Sequence, residues 1–192
     1  INAARLFTAA LAHKVDASDN DSLRDEVSHI DEALASAETL ITSLREISRL
    51  DSGRLQVKRE EFPVQGLLDT LGREFSAIAE RTGLRLRVAP CSEWVYSDKH
   101  LLRRIIQNLL GNALRYTPEG KVLLGCRRRG DYLAIQVLDT GPGIAEADRQ
   151  RIFEEFERAA EAAHRETDGG LGLGLSIVRR ISAMLGHAME FT

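Results

Sequence analysis

Cysteine and long apolar runs are both scarce in this chain, and each shortage excludes a class of protein. Two cysteines among 192 residues, Cys91 and Cys126, are too few for a disulfide-stapled secreted domain, and their spacing fits no metal site. We therefore expect no disulfide framework and a reducing compartment. No apolar run reaches the ~20 residues that a membrane span requires. A net charge of −3 gives no overall positive field that would attract nucleic acid.

The start of the chain lacks proline, lacks glycine before Gly53, and has Phe7 as its one aromatic residue. Its apolar positions alternate in steps of four and three, which is a heptad seam: Leu23, Val27, Ile30, Leu34, Ala37, Ile41 and Leu44. We predict a long helix with Ser22 as its N-cap and Gly53 as its C-terminal cap. A shorter helix and a polar turn at residues 16–22 precede it.

Residues 1–55 are thus predicted to form a helical hairpin. A long helix paired with one neighbour leaves apolar surface uncovered, and dimerisation into a four-helix bundle would cover it. Packing of the hairpin against its own globular domain is the alternative.

From residue 56 the pattern becomes mixed. Amphipathic helices are predicted over residues 64–83, 98–117 and 173–185, with Ser97 or Asp98 as N-cap of the second. Strands are predicted over residues 55–62, 84–90 and 93–97, in a hairpin over 120–139, and at the final HAMEFT. Hairpin-linked strands with gathered helices favour an α+β sandwich for residues 56–192 over a parallel doubly wound sheet.

The stretch GGLGLGLSIV at residues 169–178 places glycines directly before a helix. Free backbone N–H groups and the helix dipole favour an anion such as phosphate there. The stretch is not a Rossmann fingerprint, because Leu175 stands where the third glycine belongs, and it is not a Walker A loop, because Leu175 also replaces the lysine. A flexible loop before a buried helix is the alternative.

Two further segments carry chemistry. In QNLLGNALRYT, Asn108 and Asn112 are four residues apart and share a helix face, where neutral oxygens suit a Mg²⁺-phosphate group. In DTGPGI, Asp139 closes an apolar strand, and its carboxylate can accept a hydrogen bond from an exocyclic amine such as that of adenine. Ordinary surface asparagines and an ordinary Asp-Gly turn are the alternatives.

In this order and spacing the motifs resemble the nucleotide-binding boxes of the sensor histidine kinase catalytic domain, within the GHKL ATPase superfamily. QNLLGNALRYT is similar to the N box, DTGPGI to the first G box, FEEFER to the F box and GGLGLGLSIV to the second G box. The resemblance covers residues 56–192 and implies a GHKL-type (Bergerat) ATP-binding sandwich. The hairpin over residues 1–55 is similar to that family's dimerisation and phosphotransfer bundle.

The resemblance also implies roles at the metal and phosphate end of the site. Asn108 would be the principal Mg²⁺ ligand, Asn112 a possible second ligand, and Arg115 a cation near the phosphates of ATP. These three would be the catalytic residues, and Tyr116 would lie near the nucleotide. The phosphates would be cradled by the second G box, at Gly170, Leu171, Gly172, Leu173 and Gly174.

At the base end, the resemblance implies that Asp139 reads the adenine amine. Gly141 and Gly143, next to Ile144, would let the chain pass close to the base. Residues 144–170 would form a mobile ATP lid. Its anchoring aromatics would be Phe153 and Phe156, for which plain core packing is the alternative.

Hydrolysis of ATP by this chain is disfavoured. Hydrolytic members of the superfamily orient the attacking water with a glutamate one helical turn before the metal asparagine, and here that position is Arg104. An arginine cannot act as a base. A phosphotransferase that holds ATP until a protein nucleophile arrives is therefore favoured over a stand-alone ATPase.

The phosphoacceptor is the missing part of this interpretation. The family's acceptor histidine is normally followed by Asp or Glu, whereas the five histidines here precede Lys14, Ile30, Leu101, Arg165 and Ala188. The chain starts without methionine or a signal-peptide pattern, at INAARLF, which resembles the stretch just downstream of such a histidine. We therefore expect no acceptor within the fragment and one fewer than about ten residues before Ile1, by resemblance alone.

The resemblance implies a cytoplasmic sensor histidine kinase core that forms a homodimer and passes phosphate to a response-regulator aspartate. It leaves membrane anchoring of the full-length protein open. We expect no contact with nucleic acid and none between this fragment and a membrane. A pseudokinase or signalling scaffold that binds ATP without autophosphorylation is the alternative. A GHKL serine kinase acting on a separate protein is disfavoured by the attached hairpin.

Overall fold

The computed structural model of the chain describes residues 4, 7, 8, 11, 21–51, 55–157 and 172–191. It divides into two compact units, Ile1–Asp51 and Ser52–Thr192. Much of the predicted first helix, most of the predicted turn after it and the predicted cap Gly53 lie outside the described residues. Within the described part of the chain, no helix combines the length and the apolar character needed to cross a membrane.

The first unit is dominated by one helix, α1, over Asp21–Asp51. It begins one residue before Ser22, so the prediction of Ser22 as N-cap is wrong. Four positions of the heptad seam keep 42–57% of their surface exposed: Leu23, Ile30, Ile41 and Leu44. An apolar stripe therefore remains open along this helix.

The second unit alternates strands and helices. Its regular elements are β1 (Glu60–Pro63), α2 (Val64–Arg81), β2 (Arg85–Val88), β3 (Trp94–Ser97), α3 (Lys99–Tyr116), β4 (Lys121–Arg129), β5 (Tyr132–Asp139) and α4 (Gly174–Leu185). Two short 3₁₀ helices, Glu146–Asp148 and Arg151–Phe153, follow β5. The predicted helices and the hairpin are all present, with ends that differ by a few residues.

Two small sheets form in this unit. Strands β1 and β3 pair antiparallel, and a second sheet has the order β2-β4-β5. In that sheet β4 and β5 form the predicted hairpin, which turns at Gly130 with φ of 57°. Strand β2 instead pairs with β4 in parallel, so the chain from β2 to β4 makes a crossover that contains α3. The fold is thus mixed helix and sheet, as the α+β prediction requires.

The core lies between the helices α2 and α3 and the inner face of the three-stranded sheet. Its fully buried side chains include Leu68, Leu71, Ile106, Leu110, Val122 and Leu124. Gly72 on α2 permits close approach to the sheet, since a Cβ there would lie 2.5 Å from Cγ2 of Val88. Burial of this apolar surface holds α3 firmly against the sheet.

The start of α3 is capped by Asp98, one of the two predicted candidates. Its Oδ1 accepts hydrogen bonds from the N–H groups of His100 (3.0 Å) and Leu101 (3.1 Å), and its Oδ2 accepts one from Lys58 (2.8 Å). Burial raises the pKa of this carboxyl, but the three hydrogen bonds outweigh it, so the pKa lies below its ordinary value. The cap is therefore ionised and fixed at neutral pH.

The expectation of no disulfide framework did not foresee a bond between the two cysteines. Cys91 and Cys126 form a disulfide, with their Cα atoms 6.0 Å apart. The parallel register that sets Val88 beside Leu124 explains the pairing, because Cys91 lies three residues beyond Val88 and Cys126 two residues beyond Leu124. The two cysteines are 35 residues apart in the sequence, so local sequence patterns could not predict that they are neighbours.

The two ends of the unit are less regular than predicted. The first strand starts at Glu60 rather than at residue 55, and residues 187–191 of the predicted final strand are not part of either sheet. Phe191 instead packs edge-to-face on Phe153, with ring centroids 5.0 Å apart. Without a neighbouring strand to pair with, the alternating pattern there does not produce a strand.

Candidate nucleotide site

One face of α3 carries Asn108 and Asn112, which lie one helical turn apart as predicted. The Nδ2 of Asn108 donates to the carbonyl oxygen of Arg104 at 2.9 Å, which turns Oδ1 away from its own helix. The first residue of α4, Gly174, packs here. A Cβ added to it would lie 3.1 Å from Oδ1 of Asn108 and 3.9 Å from Nδ2 of Asn112. The second G box and the N box are therefore in contact.

The N-terminus of α4 has no side-chain cap. Its N-cap, Leu173, is buried and makes no side-chain cap, and the first intrahelical bond runs from the N–H of Ile177 to the carbonyl of Leu173. The N–H groups of Gly174, Leu175 and Ser176 thus have no intrahelical acceptor. Together with the Oδ1 of Asn108 they form a polar, partly positive pole suited to a metal–phosphate group. Gly170 and Leu171 lie outside the described residues.

At the far end of the three-stranded sheet, Asp139 closes β5. Its Oδ1 accepts a hydrogen bond from the N–H of Gly141 at 2.8 Å, which fixes the turn after the strand. Its Oδ2 accepts no hydrogen bond within the described part of the chain. The space beside Gly141 is narrow and polar. A Cβ there would lie 2.8 Å from Oδ1 of Asp139 and 3.2 Å from both Oγ1 of Thr117 and the carbonyl oxygen of Tyr116.

Sequence reasoning missed Thr117. It is 4% exposed, and its hydroxyl is buried without a hydrogen-bond partner in the described structure. A buried hydroxyl without a partner costs free energy, on the order of 1–3 kcal/mol. A bound ligand or water would supply the missing bond. Its position directly after Tyr116 in the N-box motif was the signal that could have found it.

A cleft of about 560 Å³ adjoins this end of the site. Its lining comes from the two turns that flank the start of β4 and the end of β5, at Pro118, Glu119, Gly120, Thr140, Gly141 and Pro142. Gly143 follows with φ of 76°, and Ile144 is half-buried. The cleft therefore borders the polar cluster of Asp139 and Thr117 rather than Asn108.

The remaining predicted residues are dispersed. Arg115 is exposed in the last turn of α3, and Tyr116 is half-buried beside Gly141. Phe153 is half-buried against Phe191, whereas Phe156 keeps 59% of its surface exposed and is not a buried anchor. Phe156 instead contacts the second G box through its backbone.

Comparison with known proteins identifies the family to which the chain belongs. Residues 97–192 match the family described as histidine kinase-, DNA gyrase B- and HSP90-like ATPases. The chain is 36% identical over 181 residues to the autoinducer 2 sensor kinase/phosphatase LuxQ of Vibrio cholerae, which covers 89% of this chain and 21% of that protein. It is 34% identical over 146 residues to the sensor-like histidine kinase SenX3 of Mycobacterium tuberculosis, covering 75% of this chain and 35% of that one.

Solved structures agree. The full-length structure of ShkA in complex with AMPPNP has a TM-score of 0.70 at 27% identity, covering 97% of this chain and 43% of ShkA. The histidine kinase AdeS of Acinetobacter baumannii shares the fold, with a TM-score of 0.65 at 21% identity over 93% of this chain and 82% of that one. The chain spans about a fifth of the length of LuxQ. It belongs to the family of histidine kinase-, DNA gyrase B- and HSP90-like ATPases, and its relatives there are sensor histidine kinases.

Proposed function

We propose that this chain is the core of a sensor histidine kinase, which binds Mg²⁺-ATP and donates the γ-phosphoryl group to a histidine. The observation that carries the proposal is the contact between the N box and the second G box. There the amides of Asn108 and Asn112 face the uncapped N-terminus of α4 at Gly174. An amide oxygen of a kind that Mg²⁺ accepts and N–H groups of a kind that phosphate accepts thus lie at one location, which supports the proposal.

The donor set fits a magnesium–phosphate group. Mg²⁺ prefers oxygen ligands and usually retains waters and substrate phosphates in its shell, so one or two neutral amide oxygens suffice from the protein. Asn108 would hold the metal, Asn112 would support it, and Arg115 would offset phosphate charge. When bound, the metal would neutralise the charge that develops on the transferred phosphoryl group.

The polar cluster at the end of β5 fits an adenine ring. Asp139 offers a carboxylate oxygen for the exocyclic amine, and the orphaned hydroxyl of Thr117 lies beside the same turn. A base inserted there would gain a hydrogen bond that discriminates amine from carbonyl. AMPPNP in the related ShkA structure supports an adenine nucleotide as the ligand.

In the proposed reaction a histidine nitrogen bonds to the γ-phosphorus while the bond from that phosphorus to the β–γ bridging oxygen breaks, and ADP leaves. Catalysis is positioning and charge neutralisation, which is the usual strategy for phosphoryl transfer. Water is a poor competitor because Arg104, one turn before Asn108, cannot act as a base. We expect little hydrolysis without the acceptor.

We propose that none of the five histidines of this chain is the acceptor. His187 is hydrogen-bonded to Ser97, and His100 lies in the first turn of α3, in the second unit. His29 on α1 is followed by isoleucine rather than an acid, and His13 and His164 lie outside the described residues. The phosphorylated histidine would relay its phosphate to a response-regulator aspartate.

Nucleotide binding tests the proposal directly. Titration with a fluorescent ATP analogue and Mg²⁺ should show binding that Asn108→Ala and Asp139→Ala each weaken by about tenfold or more, which corresponds to 1.4 kcal/mol. Gln107→Ala, a neighbouring amide on α3, is the matched control and should bind as the native chain does. Binding that survives both site substitutions would overturn the site assignment.

Phosphotransfer is tested in the full-length protein with γ-labelled ATP. Label that survives alkali, is lost in acid and is absent from the Asn108→Ala variant would support the kinase reaction. Nucleotide binding without any label would mean a scaffold that binds ATP and does not phosphorylate itself. Steady hydrolysis on the order of 1 s⁻¹ or faster would indicate an ATPase instead.

A further inference from the structure

The outer face of the three-stranded sheet carries an uncompensated group of cations. Because Leu86 and Val88 of β2 and Val122 and Leu124 of β4 face the core, the alternate residues face solvent. Those alternate positions include Arg85, Arg87, Lys121 and Arg127, all exposed. We call these four residues the basic sheet face.

Three of these cations are neighbours. Arg85 is the register partner of Lys121, and Arg87 lies two residues further along β2. Strands in a sheet lie about 4.8 Å apart and rise about 3.3 Å per residue, so the three backbone positions fall within roughly 8 Å of one another. Like charges directly opposite in a sheet destabilise it. The fold keeps this repulsion without an internal acid to relieve it.

Two acids that contact β4 bind arginines outside the basic sheet face. Glu93 binds Arg128, and Glu190 binds Arg129 at 2.9 Å. None of the four cations of the basic sheet face makes a side-chain hydrogen bond or an ion pair within the described part of the chain. The face therefore offers positive charge to an external partner.

Apolar side chains are interleaved with the charges. Tyr132 and Leu138 on β5 point the same way and are 56% and 45% exposed. Small residues, Gly125 and Ala134, make the middle of the face shallow. Arginine and tyrosine are enriched in protein–protein interfaces, and a flat centre admits a flat or extended partner.

We infer that the basic sheet face is a docking surface for an acidic protein segment, in which carboxylates pair with the four cations and apolar side chains cover Tyr132 and Leu138. This goes beyond the proposed kinase reaction and concerns a different surface. An acidic protein segment is favoured over nucleic acid or an anionic membrane because its apolar side chains can cover the exposed Tyr132 and Leu138 while its carboxylates pair with the cations.

The test uses a labelled 18-residue peptide built from repeats of three glutamates and one leucine. A second peptide, in which glutamine replaces every glutamate, is the uncharged control. The native chain should bind the acidic peptide and not the glutamine version. Affinity should fall about tenfold between 50 and 300 mM NaCl, because exposed charge pairs are screened. The triple variant Arg85→Gln, Arg87→Gln, Lys121→Gln should bind at least about tenfold more weakly.

The control is Arg73→Gln, Arg81→Gln, Arg179→Gln, which removes the same charge from exposed helix positions. It should bind within about twofold of the native chain, and both triple variants should keep native affinity for nucleotide. Equal losses in the two triple variants, or no binding of the acidic peptide by the native chain, would overturn the inference. Tighter binding to a 20-base-pair duplex or to phosphatidylserine vesicles would overturn it as well.

Discussion

The backbone N–H of Phe156 donates a hydrogen bond to the carbonyl oxygen of Gly172 at 3.2 Å, and both residues have positive φ, 65° and 67°. Residues 157–171 lie between these two residues in the sequence. An ion pair between Glu155, the residue before Phe156, and Arg180 joins the same segment to α4. A positive φ is an outlier for a residue as bulky as phenylalanine and is kept only where surrounding structure imposes it. These contacts therefore clamp Phe156, which lies within the proposed ATP lid of residues 144–170, to Gly172 just beyond its end.

Gly172→Ala should weaken this clamp. A Cβ would lie 2.7 Å from the carbonyl carbon of Phe156 and 2.8 Å from the carbonyl oxygen of Glu157, and backbone atoms cannot rotate away. The left-handed conformation alone costs an alanine roughly 1–2 kcal/mol. We expect urea unfolding to show a loss of at least that size, together with weaker nucleotide binding.

The control is Gly66→Ala in α2, where an added Cβ meets no atom within 4 Å. Alanine there should raise the free energy of unfolding by roughly 0.5–1 kcal/mol through helix propensity. If the two substitutions have the same effect, the clamp at Gly172 does not exist.

Gly174→Ala should weaken nucleotide binding without lowering the stability of the fold. Gly174 is the first residue of α4, where the advantage of alanine is smaller than the roughly 1 kcal/mol of a helix interior, so the free energy of unfolding should change little. The new Cβ would lie 3.1 Å from Oδ1 of Asn108, on the side where the metal and phosphates are proposed to bind. Isothermal titration should show nucleotide affinity reduced by about tenfold. A variant with native affinity would argue against phosphate binding at this helix start.

Reduction of the Cys91–Cys126 disulfide should lower stability. It closes a loop of 35 residues between the segment after β2 and strand β4. A bond of this kind stabilises by about 2–4 kcal/mol, mainly by restricting the unfolded chain. Urea midpoints should therefore fall when dithiothreitol is added. The double variant Cys91→Ala, Cys126→Ala should not respond to the reductant, and an equal response would show that another effect is being measured.

The burial of the His187 ring should make stability depend on pH. Burial, and then the positive charge of Arg59, lower the pKa of His187 below its ordinary value of 6.5. The unfolded chain therefore takes up a proton first as pH falls, and the free energy of unfolding decreases from about pH 6.5 down to the folded pKa. Above pH 6.5 both states are neutral and this contribution is constant.

Unfolding measured between pH 8 and pH 5 checks the effect of His187. The variant His187→Asn should show a flatter profile than the native chain below pH 6.5, whereas His29→Asn, at an exposed position on α1, should not. A native profile that is flat across this range would contradict the lowered pKa.

The open stripe of α1 should support a dimer. Ile41 is 57% exposed, and full burial of such a side chain is worth roughly 1.5–3 kcal/mol per copy. Ile41→Glu should therefore shift the mass measured by sedimentation from dimer towards monomer. Thr42→Glu, at an exposed neighbouring position, should leave the mass unchanged. A native chain that sediments as a monomer would refute the dimer.

Local patterns predicted most of the local structure. The helix from Lys99 to Tyr116 follows from apolar periodicity and from Asp98 as its cap, and the β4–β5 hairpin follows from alternation around Gly130. The contact between Asn108 and Gly174 was foreseen only through the family resemblance, because 66 residues separate them. Spacing along a chain carries no information on which helices meet.

Features that depend on non-local pairing were missed. The disulfide requires the parallel register of β2 and β4, which no local motif announces. The orphaned hydroxyl of Thr117 requires the turn at Gly141 to fold back on the end of α3. The positive φ of Phe156 requires a partner at Gly172, beyond the reach of local propensity. In each case the cause lies in a distant segment.

The crossover from β2 to β4 limits how many residues can be removed from the N-terminal end of the chain. The family similarity begins at residue 97, after β1, α2 and β2. A protein cut there would leave β4 as an open edge and strip α2 from the buried surface of Val122 and Leu124. Open edges and bared apolar faces promote aggregation. A soluble piece suited to crystallisation should therefore start ahead of β1, near Ser52, where the second unit begins.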